Sequence, residues 1–189
     1  MNKSTFYSFW RKLSFTLNGF ALFMLFSGAA HAEWNWSQTP SEEEWSAFTN
    51  LSPEAKAKEW ESLEEKHIGF EDLSWEWRLG WVKACATSSE SRCASIIQYG
   101  LFDKALIVRA ESARILGKRF EGTGHPPALR LLETAFAVQQ NRRHKEPLFI
   151  QYRILEAIRQ IGGPASNRIG MRLAQSSEQT SRYWTVIKD

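Results

Sequence analysis

The 189-residue sequence predicts an all-α fold. Three observations carry that prediction. Apolar residues recur at helical spacing through most of the chain, and no run of period-two alternation is long enough to argue for a sheet. Helix-start signals stand ahead of several of those apolar stripes. A two-helix pattern then recurs at an offset of 42 residues.

The first 32 residues stand apart from this fold. Lys3, Arg11 and Lys12 are the only charges before residue 33, Leu17 to Phe26 is a short apolar run, and Ala30-His31-Ala32 fits a small-residue cleavage site. That order is the pattern of a cleavable secretory signal peptide, with the mature chain starting at Glu33 after Ala32. The alternative is a retained membrane anchor. A spanning helix needs roughly 20 apolar residues, and Asn18, Gly19 and Ser27 cut this run short. No Cys follows Ala32, which argues against lipid attachment there, and Arg11-Lys12 is a poor twin-arginine signal. The cleavage pattern after a Phe/Leu-rich core looks bacterial, so a periplasmic address is expected, with full secretion as the alternative.

Residues 33–189 read as one helical domain, with a Trp-rich acidic N-terminal cap over 33–91 and repeats over 92–189. Glu33 to Thr39 is a polar lead-in. Ser41 followed by Glu42, Glu43 and Glu44 signals a helix start, because a Ser cap satisfies free N–H groups and acids suit the positive end of the helix dipole. Ser52-Pro53 is a second start, with Pro at the first helical position. That helix runs to about Lys66, with Ala55, Trp60 and Leu63 at helical spacing and Gly69 ending it. Leu73 to Ala86 is the next helix, and Trp77, Leu79, Trp81, Val82 and Cys85 form its apolar face. After the polar turn at residues 87–91, Arg92 to Leu101 and Leu106 to Phe120 are helical. Gly122 to Pro127 breaks the chain. Ala128 to Val138 follows, then a polar basic loop from Gln139 to Glu146, then Pro147 to Ile161. Gly162-Gly163-Pro164 is another breaker, and Pro164 to Gln175 and Thr180 to Lys188 close the chain.

Charge is unevenly spread. The formal +3 of the whole chain resides in the three basic residues of the leader, so residues 33–189 carry equal numbers of acids and bases. Residues 33–77 hold twelve acids and three bases, whereas residues 78–189 hold nine acids and eighteen bases. Such asymmetry can attract an acidic partner to the basic part, or can be neutralised within the fold. Nucleic acid is not an expected partner, because an exported protein rarely meets it.

Cys85 and Cys93 are the only cysteines. In an oxidising compartment so close a pair is a disulfide candidate. If Cys85 ends one helix and Cys93 begins the next, the bond staples that hairpin, and closing so short a loop contributes about 2–3 kcal/mol. No third or fourth ligand lies near them, and His67, His125 and His144 share no ligand spacing, so no metal and no cofactor are expected. No nucleophile elbow, metalloprotease helix, phosphate loop or dinucleotide fingerprint is present. Runs of acids such as Glu64-Glu65 read as solvated helix faces. Seven of the nine tryptophans lie between residues 34 and 81. Trp60, Trp77 and Trp81 fit apolar stripes and read as core. Trp34 and Trp36 have no such stripe. They could dock on the protein's own surface, meet a partner or bind a glycan.

The repeat is seen by laying Val108 to Arg119 over Ile150 to Ile161. Val108 meets Ile150, Ser112 meets Ile154, Ala113 meets Leu155 and Leu116 meets Ile158. Each stretch is preceded by an apolar-striped helix: Ala94, Ile96, Ile97 and Leu101 in one, Leu129, Leu131, Leu132, Ala135 and Phe136 in the other. Residues 94–117 carry an apolar first helix, Asp103 in the turn, Val108-Arg109 opening an Ala-containing second helix, and Leu116-Gly117 at its end. This segment resembles a HEAT repeat, and the resemblance extends over 92–163. In the following unit Lys145 stands where Asp is expected and Gln151 where Arg is expected. The resemblance implies a short right-handed α-solenoid of stacked helix pairs, in which each unit buries its apolar faces against its neighbours and the terminal units act as caps. It implies that Asp103 and Arg109 pair and fix their turn. It also implies that the second helices line a concave face, which would place Arg114, Lys118, Tyr152, Arg153 and Arg159, with Glu111, Glu156 and Gln160, at a partner-binding surface. Arg and Tyr are favoured interface anchors.

The functional expectation is a non-enzymatic, periplasmic protein-binding module or scaffold. The alternatives are an inhibitor or immunity protein of a cell-wall hydrolase, and an enzyme acting on the cell wall through the Trp-rich acidic region.

Overall fold

The computed structural model describes residues 34–88, 90–138, 141 and 147–188. The chain divides into two compact units, Met1–Trp34 and Asn35–Asp189. The expected cleavage point at Ala32 and Glu33 lies outside the described residues. Every regular element among the described residues of the second unit is helical, as the sequence predicts. These are α1 (Glu42–Asn50), α2 (Pro53–Glu65), α3 (Trp75–Ala84), α4 (Arg92–Leu101), α5 (Leu106–Arg119), α6 (Pro126–Ala137), α7 (Pro147–Ile161), α8 (Gly163–Ala174) and α9 (Glu178–Ile187), with a single 3-10 turn at Phe70–Asp72.

Cap chemistry sets the starts. Ser41 Oγ accepts from the Glu44 N–H at 3.1 Å while Glu44 accepts from the Ser41 N–H at 2.7 Å, a reciprocal capping box. Ser52 Oγ accepts from the Ala55 N–H, with Pro53 in the first turn where its missing N–H costs nothing. The sequence expectation places Pro126 and Pro127 in a chain break, but they open α6 instead. His125 Nδ1 caps it by accepting from the Ala128 N–H at 3.3 Å, and its ring stacks on Phe120 at 3.9 Å. The linker ahead of His125 turns through Gly122 and Gly124, both in the left-handed region at φ 70° and 63°. Their N–H groups donate to the carbonyls of Gln160 and Ile161, tying this loop to the end of α7.

From α3 onward the helices alternate between two layers. α3, α5, α7 and α9 lie side by side in that order, and α4, α6 and α8 follow one another behind them. Each of α4, α6 and α8 also packs on the helix that follows it. The four position pairs related by 42 residues are all buried. In α4 it is Cys93, not Ala94, that faces inward with Ile96, Ile97 and Leu101. α5 and α7 come close at small residues: a Cβ added to Gly117 would stand 2.7 Å from the Ala157 Cα. At the far end Trp184 of α9 lies over Gly170 of α8, where an added Cβ would fall 2.1 Å from the indole.

The N-terminal region packs by aromatics. Trp77 is fully buried and Trp81 is 3% exposed. Trp36 is buried too, its ring 4.8 Å from Trp77, with the backbone around it fixed by the Ser74 N–H donating to its carbonyl. Of the three roles open to Trp36, docking on the protein's own core is the one observed. Trp60 is only half-buried; it meets Trp81 edge-on at 4.8 Å and donates to Glu64 at 2.7 Å.

Candidate functional site

The side chains expected at a partner face sit on α5 and α7. Arg114, Lys118, Arg153 and Arg159 are exposed and Tyr152 is half-buried. Arg114 forks onto Glu111 with two bonds of 2.8 Å, and Arg153 donates to Glu156 at 2.8 Å while lying over the Phe149 ring. The hydrogen bonds from Arg114 hold Glu111 below the usual carboxylate range against the opposing effect of burial, and the charges of Arg114, Lys83 and Arg153 add to this. Lys83 of α3, the Glu111–Arg114 pair of α5 and Arg153 of α7 therefore share one electrostatic field across three neighbouring helices. The positions related by 42 residues carry opposite signs, Glu111 against Arg153 and Arg114 against Glu156, so the face largely neutralises itself. Exposed pairs of this kind contribute about 0–1 kcal/mol, and a partner carboxylate can displace them.

Tyr152 is not a free anchor. Its ring stacks on Tyr183 of α9 at 4.0 Å. The Tyr183 hydroxyl donates to Glu156, and burial, then that carboxylate, push the phenol up to about 12. Arg159 borders a shallow hollow with Glu156, Gln160, Val186 and Ile187. Arg114, Arg153, Glu156 and Tyr152 thus come together, whereas Arg159 points to the α7–α9 end.

Around the expected Asp103–Arg109 pair the structure adds a second cation. Arg78, which the sequence pattern did not single out, grips both oxygens of the buried Asp103 carboxylate at 2.5 and 2.9 Å and also donates to the Leu73 carbonyl. Burial lowers the Arg109 pKa and the Asp103 charge opposes that, while the hydrogen bonds of Arg109 to this turn go to main chain, the carbonyls of Asp103 at 2.7 Å and Lys104 at 3.0 Å. Its Nε donates to Asn141 at 2.7 Å, and Asn141 is fully buried although the sequence places it in a polar loop. The physical reason is that α3 lies against α5 and brings a guanidinium from outside the repeat to a carboxylate that already caps the turn by accepting from the Ala105 N–H. At the equivalent of Arg109, Gln151 is buried, and Lys145 lies outside the described residues.

A cavity of about 380 Å³ lies among α1, α2, α3 and α4. Phe48, Trp60, Trp81 and Ile96 supply apolar wall, and Lys56, Lys83 and Arg92 are its cations. Cys85 caps the end of α3 and Cys93 stands in the first turn of α4; they are disulfide-bonded, their Cα atoms 5.3 Å apart, and both line this cavity. Sequence periodicity marks which face of α2 is apolar but not how tightly it closes on α3 and α4, so the space between them left no signal.

Among the described residues no group of three or more His, Cys, Asp or Glu side chains could hold a metal ion, and no helix is long and apolar enough to cross a membrane. No family model, curated protein or solved structure matches the chain.

Proposed function

We propose that the protein is an exported, periplasmic, non-enzymatic binding module, a short α-solenoid of HEAT-like helix pairs that holds a protein partner on the face of α3, α5 and α7. The observation that carries the reading is the side-by-side order of these helices with the exposed Lys83, Arg114 and Arg153 on them. Rows of parallel helices with one layer behind them present an extended surface whose exposed side chains are free to vary. The disulfide suits an oxidising compartment, and the leader supplies the route, with cleavage between Ala32 and Glu33.

The test is capture from a periplasmic extract with the protein and with an Arg114→Glu/Arg153→Glu double variant as bait. A specific partner held by the first and lost by the second is the expected result, and the mass of the isolated chain should place its N-terminus at Glu33. Equal capture by both baits removes the face from consideration. Turnover of cell-wall material by the purified protein alone replaces this reading with an enzyme.

A further inference from the structure

The cavity beside the disulfide has a second property that packing does not explain. Trp81 is 3% exposed, it borders the cavity, and its indole N–H has no acceptor. Arg92 Nη1, from another lining residue, is likewise buried without a hydrogen-bond partner; it stands 4.0 Å from the Glu64 carboxylate. A buried donor left unsatisfied costs about 1–3 kcal/mol, and two at one cavity mark a place where an acceptor is missing.

The remaining walls narrow what that acceptor belongs to. Phe48, Leu51, Ala57, Trp60 and Ile96 line the space with carbon, and its volume falls within the range of about 300–1,000 Å³ typical of small-ligand sites. The charged lining is three cations against one acid, Glu90. Arg92 is held by Glu90 at 2.9 Å and by Glu61 at 3.2 Å, whereas Lys56 and Lys83 form no ion pair among the described residues. Lys56 sits over the Phe48 ring and donates to the Thr49 and Leu51 carbonyls, and Lys83 is exposed at the rim over Trp45. A ligand complementary to these walls has an apolar chain, hydrogen-bond acceptors at one end and a negative charge.

We infer that this cavity binds a small amphipathic carboxylate, a hydrocarbon chain ending in a carboxylate as in a free fatty acid. The chain lies along Trp60, Trp81 and Ile96, and the carboxylate takes the orphan donors with Lys83 as counter-charge. The site shares Lys83 with the proposed partner face but neither Arg114 nor Arg153, so loss of dodecanoate binding and loss of partner capture by the Arg114/Arg153 variant are read separately.

The experiment titrates dodecanoate, dodecanol and dodecyltrimethylammonium into the protein by calorimetry, each below its micelle concentration. Dodecanoate should saturate at one per chain, with the neutral and cationic probes at least tenfold weaker. Lys83→Met should weaken dodecanoate about tenfold while leaving dodecanol unchanged, and Ala57→Phe, which fills the cavity, should abolish binding. The Trp81 indole N–H resonance, identified by its loss in Trp81→Phe, should shift on adding dodecanoate to the unaltered protein. Absence of saturable binding, equal affinity for dodecanol, or tighter binding of the cation would overturn the inference. So would binding that survives Ala57→Phe, or an unmoved Trp81 resonance. If Ala57→Phe does not fold, the head-group series, Lys83→Met and the resonance decide.

Discussion

Asp103 has two carboxylate oxygens in a buried setting, and Arg78 satisfies both. Removing one partner of a buried pair strands the other charge, which costs about 3–5 kcal/mol. Arg78→Met should lower unfolding free energy by that amount in a denaturant titration, and restoring neutrality with Arg78→Met/Asp103→Asn should recover part of it. The Asp in the turn was legible in the sequence; its partner was not, because Arg78 lies 25 positions upstream in another element. Only the packing of α3 on α5 makes the two neighbours. Tyr183 gives a second residue-scale expectation. Its phenol is pushed up to about 12 by burial and Glu156, above the ordinary value of about 10. A group raised in the folded state contributes stability that is present below its ordinary value and is lost as pH rises through the folded one. Ultraviolet titration should therefore show one tyrosine ionising late, absent in Tyr183→Phe, and the variant's stability deficit should shrink between pH 10 and 12.

The staple at the end of α3 and start of α4 is an element-scale feature, and it was the most legible, because spacing and compartment alone suggest it. Replacing both Cys85 and Cys93 with Ser should cost about 2–3 kcal/mol, read as a difference in denaturation midpoint that disappears when the unaltered protein is reduced. The α5–α7 contact is the opposite case. Periodicity marked Leu116 and Ile158 as core but gave no sign that Gly117 meets main chain of α7. Ala gains about 1 kcal/mol over Gly in helix propensity, while overpacking costs about 1–3 kcal/mol. The obstructing atom, the Ala157 Cα, is main chain and cannot swing aside. The second effect should win, and Gly117→Ala should lower the melting temperature.

At the scale of the whole molecule, all-helical composition and the positions of nearly every element followed from caps and apolar stripes. The N-terminal region followed less well. Only Phe48 is buried in α1 and only Leu63 in α2, so their placement depends on aromatics gathered from distant positions, and the cavity they border has no local pattern. The same gathering determines how unfolding would be seen. The rings of Trp36 and Phe48 lie 4.8–6.1 Å, centroid to centroid, from each other and from Trp77 and Trp81. Tryptophan emission and the near-ultraviolet dichroism of coupled indoles therefore report chiefly on that third of the chain, while peptide dichroism weighs α3 to α9 by length. Thinly buried segments open at lower free energy than packed ones, so on heating the emission change should precede the loss of peptide signal by several degrees. Coincident curves would mean that the aromatic cluster melts together with the helical stack.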